Sequence, residues 1–212
     1  MQRDTRTALL DAAQERFATA GFVGTSIRDL ASAVGIKESS VYNHFASKQA
    51  VLDAVLARAD ERLAQIGNQF GIPLDDAAAA TPIYQDIPIE RLEEIAVGFL
   101  NLWLHDQDFV AARRILTLEQ YRTPEAGQRL RAMLVDEPLA FQSALFAELI
   151  RREFFRPADP TAVALAFWGP ILAILTKADG AEDEADARRL LHIHLVHFKD
   201  TYVLADNPDE ES

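Results

Sequence analysis

The chain has 212 residues, 49% hydrophobic and 25% charged, enough to bury a substantial core in one or two domains. It has no cysteine, which excludes a disulfide framework and thiolate metal sites and fits a reducing, cytoplasmic setting. The net charge of −12 argues at first against a nucleic-acid partner, but residues 1–60 hold seven basic and seven acidic residues, whereas the remainder holds 14 and 26. The acidic excess therefore lies wholly outside the first sixty residues, and screening over ~10 Å at 0.1 M salt lets a local surface act despite a distant acidic body. The N-terminal segment lacks a long apolar run, so no signal peptide is expected. The most apolar stretch, residues 162–176, falls short of the ~20 residues that span a bilayer, and no membrane partner is expected.

Residues 4–20 predict an amphipathic helix with Leu9, Ala12 or Ala13, Arg16 and Phe17 inward, stopped by Gly21; Arg3 and Arg6 can reach phosphates or remain solvated. Residues 25–48, TSIRDLASAVGIKESSVYNHFASK, predict two short helices around a tight turn. Thr25 and Ser26 offer hydroxyls to cap the first helix. Ile27, Leu30, Ala31 and Val34 fall at i, i+3, i+4 and i+7, one apolar helical face. Gly35 follows, suited to the left-handed conformation that ends a helix, and Ile36 plugs the turn. The second helix, over 38–45, turns Val41 and Phe45 inward. A small residue four before the glycine and an apolar one six after it are helix-turn-helix spacings, a unit that fits its second helix into the DNA major groove.

The flanks add Phe17, Gly21, Thr25, Tyr42, His44, Phe45, Ser47, Lys48 and Leu52, and over about residues 6–56 the chain resembles the N-terminal domain of the TetR family of transcriptional regulators. That resemblance implies an all-α protein: a three-helix helix-turn-helix domain, 1–47; a connecting helix, 48–66; and a larger helical effector-binding and dimerisation domain, 67–205. Residues 206–212 form an acidic tail expected to be disordered.

Downstream, 47–66 predict a helix capped by Ser47, and 67–87 an irregular connection with one helical turn at 75–80. Helices follow over 88–105, over 107–119, over 124–154 with Pro138 kinking or splitting it, over 161–177 with a kink at Trp168-Gly169-Pro170, and over 183–204.

The DNA-facing candidates are Thr25, Ser26, Arg28, Lys37, Ser39, Ser40, Tyr42, Asn43, His44 and Lys48. Asn43 and Ser39 suit base edges, and an Asn can bond adenine bidentately. Thr25 and Ser26 sit at a helix N-terminus, where phosphate binds, and the resemblance assigns phosphate to Tyr42 and Lys48. Lys37 and Glu38 depart from the residues usual in the family, so the operator sequence does not transfer from a relative.

The resemblance also implies a small-molecule effector among the apolar helices. Candidate pocket residues are Phe99, Asn101, Trp103, His105, Phe109, Arg113, Tyr121, Phe141, Phe146, Phe167 and Trp168, although aromatics at helical spacing are more often core. For the homodimer interface the candidates are Trp168 and Leu172 with the stripe Leu191, Leu195, Phe198 and Tyr202, widened by Leu190, Ile193 and Val196, of which one face can serve the chain's own core and the other a partner. His194 and His197, at i and i+3, could share an ion, but a surface or interface role fits better and no metal site is expected. No nucleophile–base pair, phosphate loop or zinc-protease signature occurs, so neither catalysis nor a cofactor is expected.

The resulting expectation is a dimeric repressor that binds a palindromic operator in double-stranded DNA and is released by a small molecule. Two other readings stay open: a ligand-independent DNA-binding regulator, and an α-helical binding protein that keeps the hairpin as a structural unit.

Overall fold

A computed structural model describes residues 4–85, 87–181 and 183–204, and the tail expected over 206–212 lies outside them. Its helices are α1 (Thr5–Ala20), α2 (Ile27–Ala33), α3 (Glu38–Val41), α4 (Lys48–Phe70), α5 (Ala77–Tyr84), α6 (Ile89–His105), α7 (Gln107–Glu119), α8 (Pro124–Arg131), α9 (Glu137–Arg151), α10 (Pro160–Ala178) and α11 (Ala185–Tyr202). A π-helical stretch, Ala132–Asp136, joins α8 to α9. Among the described residues the one β pairing is an isolated antiparallel bridge between Phe155 and Val203. The fold is all-α, as the periodicity predicts.

The chain folds into two compact units. Among the described residues, the first gathers those up to Gln65 together with His105–Arg131; the second takes those of Ile66–Leu104 and those from Ala132 to Leu204. These are not the consecutive segments 1–47, 48–66 and 67–205 read from the sequence, because α7 and α8 pack with the helix-turn-helix. Ile115 of α7 is fully buried in one cluster with Leu9, Phe17, Leu30, Val41 and Val55. The reason is hydrophobic: α1 to α3 alone are too short to enclose their apolar faces, and α7 packs along α1.

Local signals place the turn. Ser26 and Asp29 form a reciprocal capping box at the start of α2. At its end Gly35 adopts φ 70°, the Gly35 N–H donates to the Ser32 carbonyl at 3.2 Å, and the Ile36 N–H donates to the Ala31 carbonyl at 3.0 Å. This is a Schellman cap, and it sets the angle at which α3 leaves. α3 is shorter than expected: Tyr42 to His44 continue as a tighter turn, with i to i+3 bonds from the Asn43 N–H to Ser40 and from the His44 N–H to Val41.

In the second unit the stretch read as irregular, 67–87, holds the last turn of α4 and the two-turn α5. Asp76 caps α5 by accepting the Ala79 N–H at 3.0 Å. Ala80 and Thr81 are fully buried, and the helix packs on α9, so tertiary burial overrides Pro82 within it. The expected 124–154 helix runs from Pro124 to Arg151, with the π-helical turn, Ala132–Asp136, directly ahead of Pro138. That proline has no N–H to give the Leu134 carbonyl four residues earlier, and the Trp168 indole N–H donates there instead, at 2.8 Å. α10 runs unbroken through Gly169 and Pro170, starting at Pro160 behind the Asp159 cap. At 19 residues it is long and apolar enough to cross a membrane by composition, longer than the 162–176 stretch suggested, yet only 22% of its apolar window is buried.

Gly21 ends α1 at φ 77°, ψ 166°, a region only glycine occupies freely, and a Cβ there would lie 2.7 Å from Glu119 Oε1. Gly21→Ala is therefore expected to destabilise the protein by at least ~1–3 kcal/mol, read as a lower denaturant midpoint. An unchanged midpoint would refute the constraint.

Candidate DNA-binding surface and ligand cavity

α2, the Gly35 turn and α3 form a rigid hairpin whose inner face, Ile27, Leu30, Ala31, Val41 and Phe45, is buried. Its outer face carries Arg28, Lys37, Ser39, Tyr42, Asn43 and His44, all exposed, with Ser40 half-buried. Seven of the ten DNA-facing candidates thus share one accessible stretch.

The other three have structural duties. Thr25 is buried, at 2% exposure, and its hydroxyl donates to the Gly21 carbonyl at 3.0 Å. That removes the hydroxyl from phosphate contact and corrects the sequence reading. Ser26 is exposed, but its hydroxyl accepts the Asp29 N–H at 3.1 Å and donates to Asp29 Oδ2 at 2.6 Å. These bonds to Ser26, side chain and backbone, with Arg16 and Arg28 nearby, hold the Asp29 carboxyl below its usual range. Lys48 is half-buried. Its ammonium donates to the carbonyls of Phe22 at 2.8 Å and Thr25 at 2.9 Å, and lies 4.2 Å from the centre of the Phe22 ring. Lys48 thus ties the start of α4 to the loop entering α2. Arg6, read as free for phosphate, stacks over the Phe45 ring at 5.0 Å, and Arg3 lies outside the described residues.

The sequence reading missed Glu119. This residue is buried at the end of α7 and accepts the Phe22 N–H at 2.9 Å and an Arg122 N–H at 3.0 Å. The backbone of Phe22 is therefore held on both sides, its N–H by Glu119 and its carbonyl by Lys48. No local signal joins residues 97 positions apart.

The second unit contains a cavity of about 420 Å³. Phe141, Gln142 and Phe146 line it from α9, Phe167 from α10, and Phe198 and Lys199 from α11; Tyr84, Phe155 and Val203 complete its wall. Of the pocket candidates, Phe141, Phe146 and Phe167 are there. The others are not. Asn101 is exposed and its Oδ1 accepts from Arg188 at 3.3 Å. Trp103 is core, and Phe99 packs beside the core of the second unit. His105, Phe109, Arg113 and Tyr121 belong to the first unit, where Phe109 and Arg113 are buried and Tyr121 is exposed. Trp168 is occupied with Leu134. Phe198, assigned to the dimer stripe, lines the cavity instead, and Leu191 and Leu195 are buried in their own unit. These corrections share a cause: a helix read alone shows an apolar stripe but not what the stripe meets. Two histidines are bonded within the second unit: His194 Nε2 bonds the Phe167 carbonyl at 2.9 Å, and the exposed His192 bonds Glu93.

The model of the bacterial regulatory proteins of the tetR family matches residues 9–55. The chain is 41% identical over 177 residues to the HTH-type transcriptional repressor KstR2 of Mycolicibacterium smegmatis, covering 78% of this chain and 80% of that protein. It is 47% identical to KstR2 of Rhodococcus jostii over 51 residues, 24% of this chain and only 25% of the relative. Among solved structures, the SmeT–triclosan complex superposes with a TM-score of 0.69 at 19% identity, covering 95% of this chain and 93% of that one. AibR in complex with isovaleryl coenzyme A and operator DNA superposes with a TM-score of 0.59 at 21% identity, covering 93% and 98%. These last two are likenesses of fold. The KstR2 match over most of both chains, with the family model over residues 9–55, shows that this chain belongs to the TetR family of bacterial regulatory proteins.

Because Lys48 acts inside the hairpin and Asn43 outside it, the two should separate in stability. Lys48→Met, which removes an ammonium bonded to two carbonyls, is expected to cost ~1–3 kcal/mol. Asn43→Ala should leave the unfolding midpoint unchanged within ~0.5 kcal/mol. Equal midpoints for the two variants would remove Lys48 from its structural role.

Proposed function

We propose that the chain is a homodimeric transcriptional repressor that reads a palindromic operator and is released by a small molecule held in the cavity of the second unit. The observation that carries this reading is the exposed row from Lys37 to His44 on a hairpin whose opposite face is fully packed. Phosphate contacts set affinity and register, and base contacts set sequence. Arg28, Lys37 and Tyr42 suit the first task, and Ser39 and Asn43 the second. Such a protein acts where the chromosome is, in the cytoplasm.

Dimerisation is supported by α10 and α11. Leu165 is 53% and Ile193 50% exposed, and a Cβ at Gly169 would meet nothing within 4 Å. A largely uncovered apolar helix calls for a partner surface, and a two-fold dimer supplies it with the same patch. The face offered is that of Leu165, Gly169 and Ile193, rather than the Leu191, Leu195 and Phe198 stripe. Release by a small molecule is supported by the cavity, whose volume is typical of small-molecule sites, and by the triclosan and isovaleryl coenzyme A complexes of the structural neighbours SmeT and AibR. Effector and operator then favour different conformations, a reciprocal coupling typically worth ~1–3 kcal/mol.

Selection of duplexes from a random library at ~0.1 M salt tests the reading. A palindromic motif is expected from the full-length protein, and Asn43→Ala should relax preference at one position of each half-site. No enrichment by folded protein would overturn the reading. Leu165→Glu is expected to convert the dimer to a monomer in light scattering and to abolish preference for the palindrome over its half-site. A dimer that survives would move the interface elsewhere.

A further inference from the structure

Resting on the reading of the cavity as the effector site, we infer that its ligand is a ring-bearing organic acid: an apolar cyclic body with a hydrogen-bond donor and one anionic group.

The body follows from the wall. The Phe146 ring lies 5.4 Å from that of Phe155, 5.6 Å from Phe167 and 5.5 Å from Phe198, and Phe167 and Phe198 are 4.9 Å apart. Rings so interlocked present faces and edges of fixed orientation, which match the stacking and edge-on geometries of another ring better than a flexible chain. The Phe155–Val203 bridge closes one side: the Leu204 N–H donates to the Phe154 carbonyl at 2.9 Å and the Arg156 N–H to the Tyr202 carbonyl at 2.8 Å.

The donor follows from Gln142. Its Oε1 is buried and has no hydrogen-bond partner. A carbonyl oxygen only accepts, so the group that satisfies it must bring an N–H or O–H. Leaving such an atom unpaired costs roughly 1–3 kcal/mol, which a ligand with a donor at that point would recover. Tyr84 adds a hydroxyl that burial keeps protonated, its pKa pushed up to about 12.

The anion follows from Lys199. It is the one charged side chain among the described lining residues, which include no carboxylate, and it is exposed. A cationic ligand would find no counter-charge there; an acid group would. The chain's net charge of −12 repels anions at long range, but over the ~8 Å screening length at physiological salt the local ammonium dominates.

The full-length protein can be titrated with two fluorescent probes: 1-anilinonaphthalene-8-sulfonate, and N-phenyl-1-naphthylamine, which keeps the rings and the N–H but lacks the sulfonate. Lys199→Met, an exposed position that leaves the fold intact, should weaken the sulfonate probe about three- to fivefold and leave the neutral probe unchanged. Gln142→Leu should weaken both about two- to tenfold. If both probes bind and compete but Lys199→Met affects them alike, the anionic group is refuted while the effector site stands. If Gln142→Leu affects neither, the donor is refuted. If neither probe binds the folded wild-type protein, the cavity is not a ligand site and this inference falls with the effector reading, while operator selection still reports on DNA binding.

Discussion

The geometry of the helix-turn-helix hairpin depends on the backbone of one residue, Phe22, through the two peptide groups that flank it. Glu119 takes its N–H and Lys48 takes its carbonyl. Between α1 and α2 the chain turns through a glycine-only conformation, and such a link needs external anchors to hold one direction. The two anchors are charged groups bonding to backbone, stronger than neutral pairs, and both are at least half-buried, so solvent competes little for them. Thr25 adds a third tie, to the Gly21 carbonyl. The aim of α2 and α3 thus follows from contacts made by α4 and α7 as much as from the hairpin itself.

The consequence for recognition is a division of labour by depth. Thr25 and Lys48, two of the residues that carry the family resemblance, work inward. The residues that can vary without cost to the fold, Lys37, Ser39, Asn43 and His44, point outward. The outer row can change while the frame stays fixed, because the frame draws on none of those side chains.

The second unit is built on a different compromise. Pro138 deprives the helix of a backbone donor, and Trp168 supplies one from α10. The helices around it keep an aromatic cavity with a buried carbonyl oxygen unpaired, where closer packing would have been more stable. Functional sites are where such local costs are retained. α10 leaves apolar surface uncovered, a cost that only another surface can remove.

Much of this was legible in the residues. Apolar stripes and runs bounded by capping, proline and glycine signals located α1, α4, α6, α7, α10 and α11 to within a few residues, and the glycine after Val34 located the turn, because these are local properties. The outward row on the hairpin was legible for the same reason. What was not legible needed partners distant in the chain. Thr25 read as a phosphate ligand because its acceptor, the Gly21 carbonyl, appears only once α1 ends. α5 read as a loop because its helix is held by burial against α9 rather than by its own propensity. The α11 stripe read as an interface because Leu191, Leu195 and Phe198 are apolar whether they meet their own core or another subunit. Sequence by itself determined the class of fold, the hairpin and its exposed row, all of which rest on interactions within a few turns of helix. Only the tertiary structure decided which side chains anchor the hairpin, where the cavity lies and which face of α10 and α11 is left bare, because each depends on surfaces that meet from distant parts of the chain.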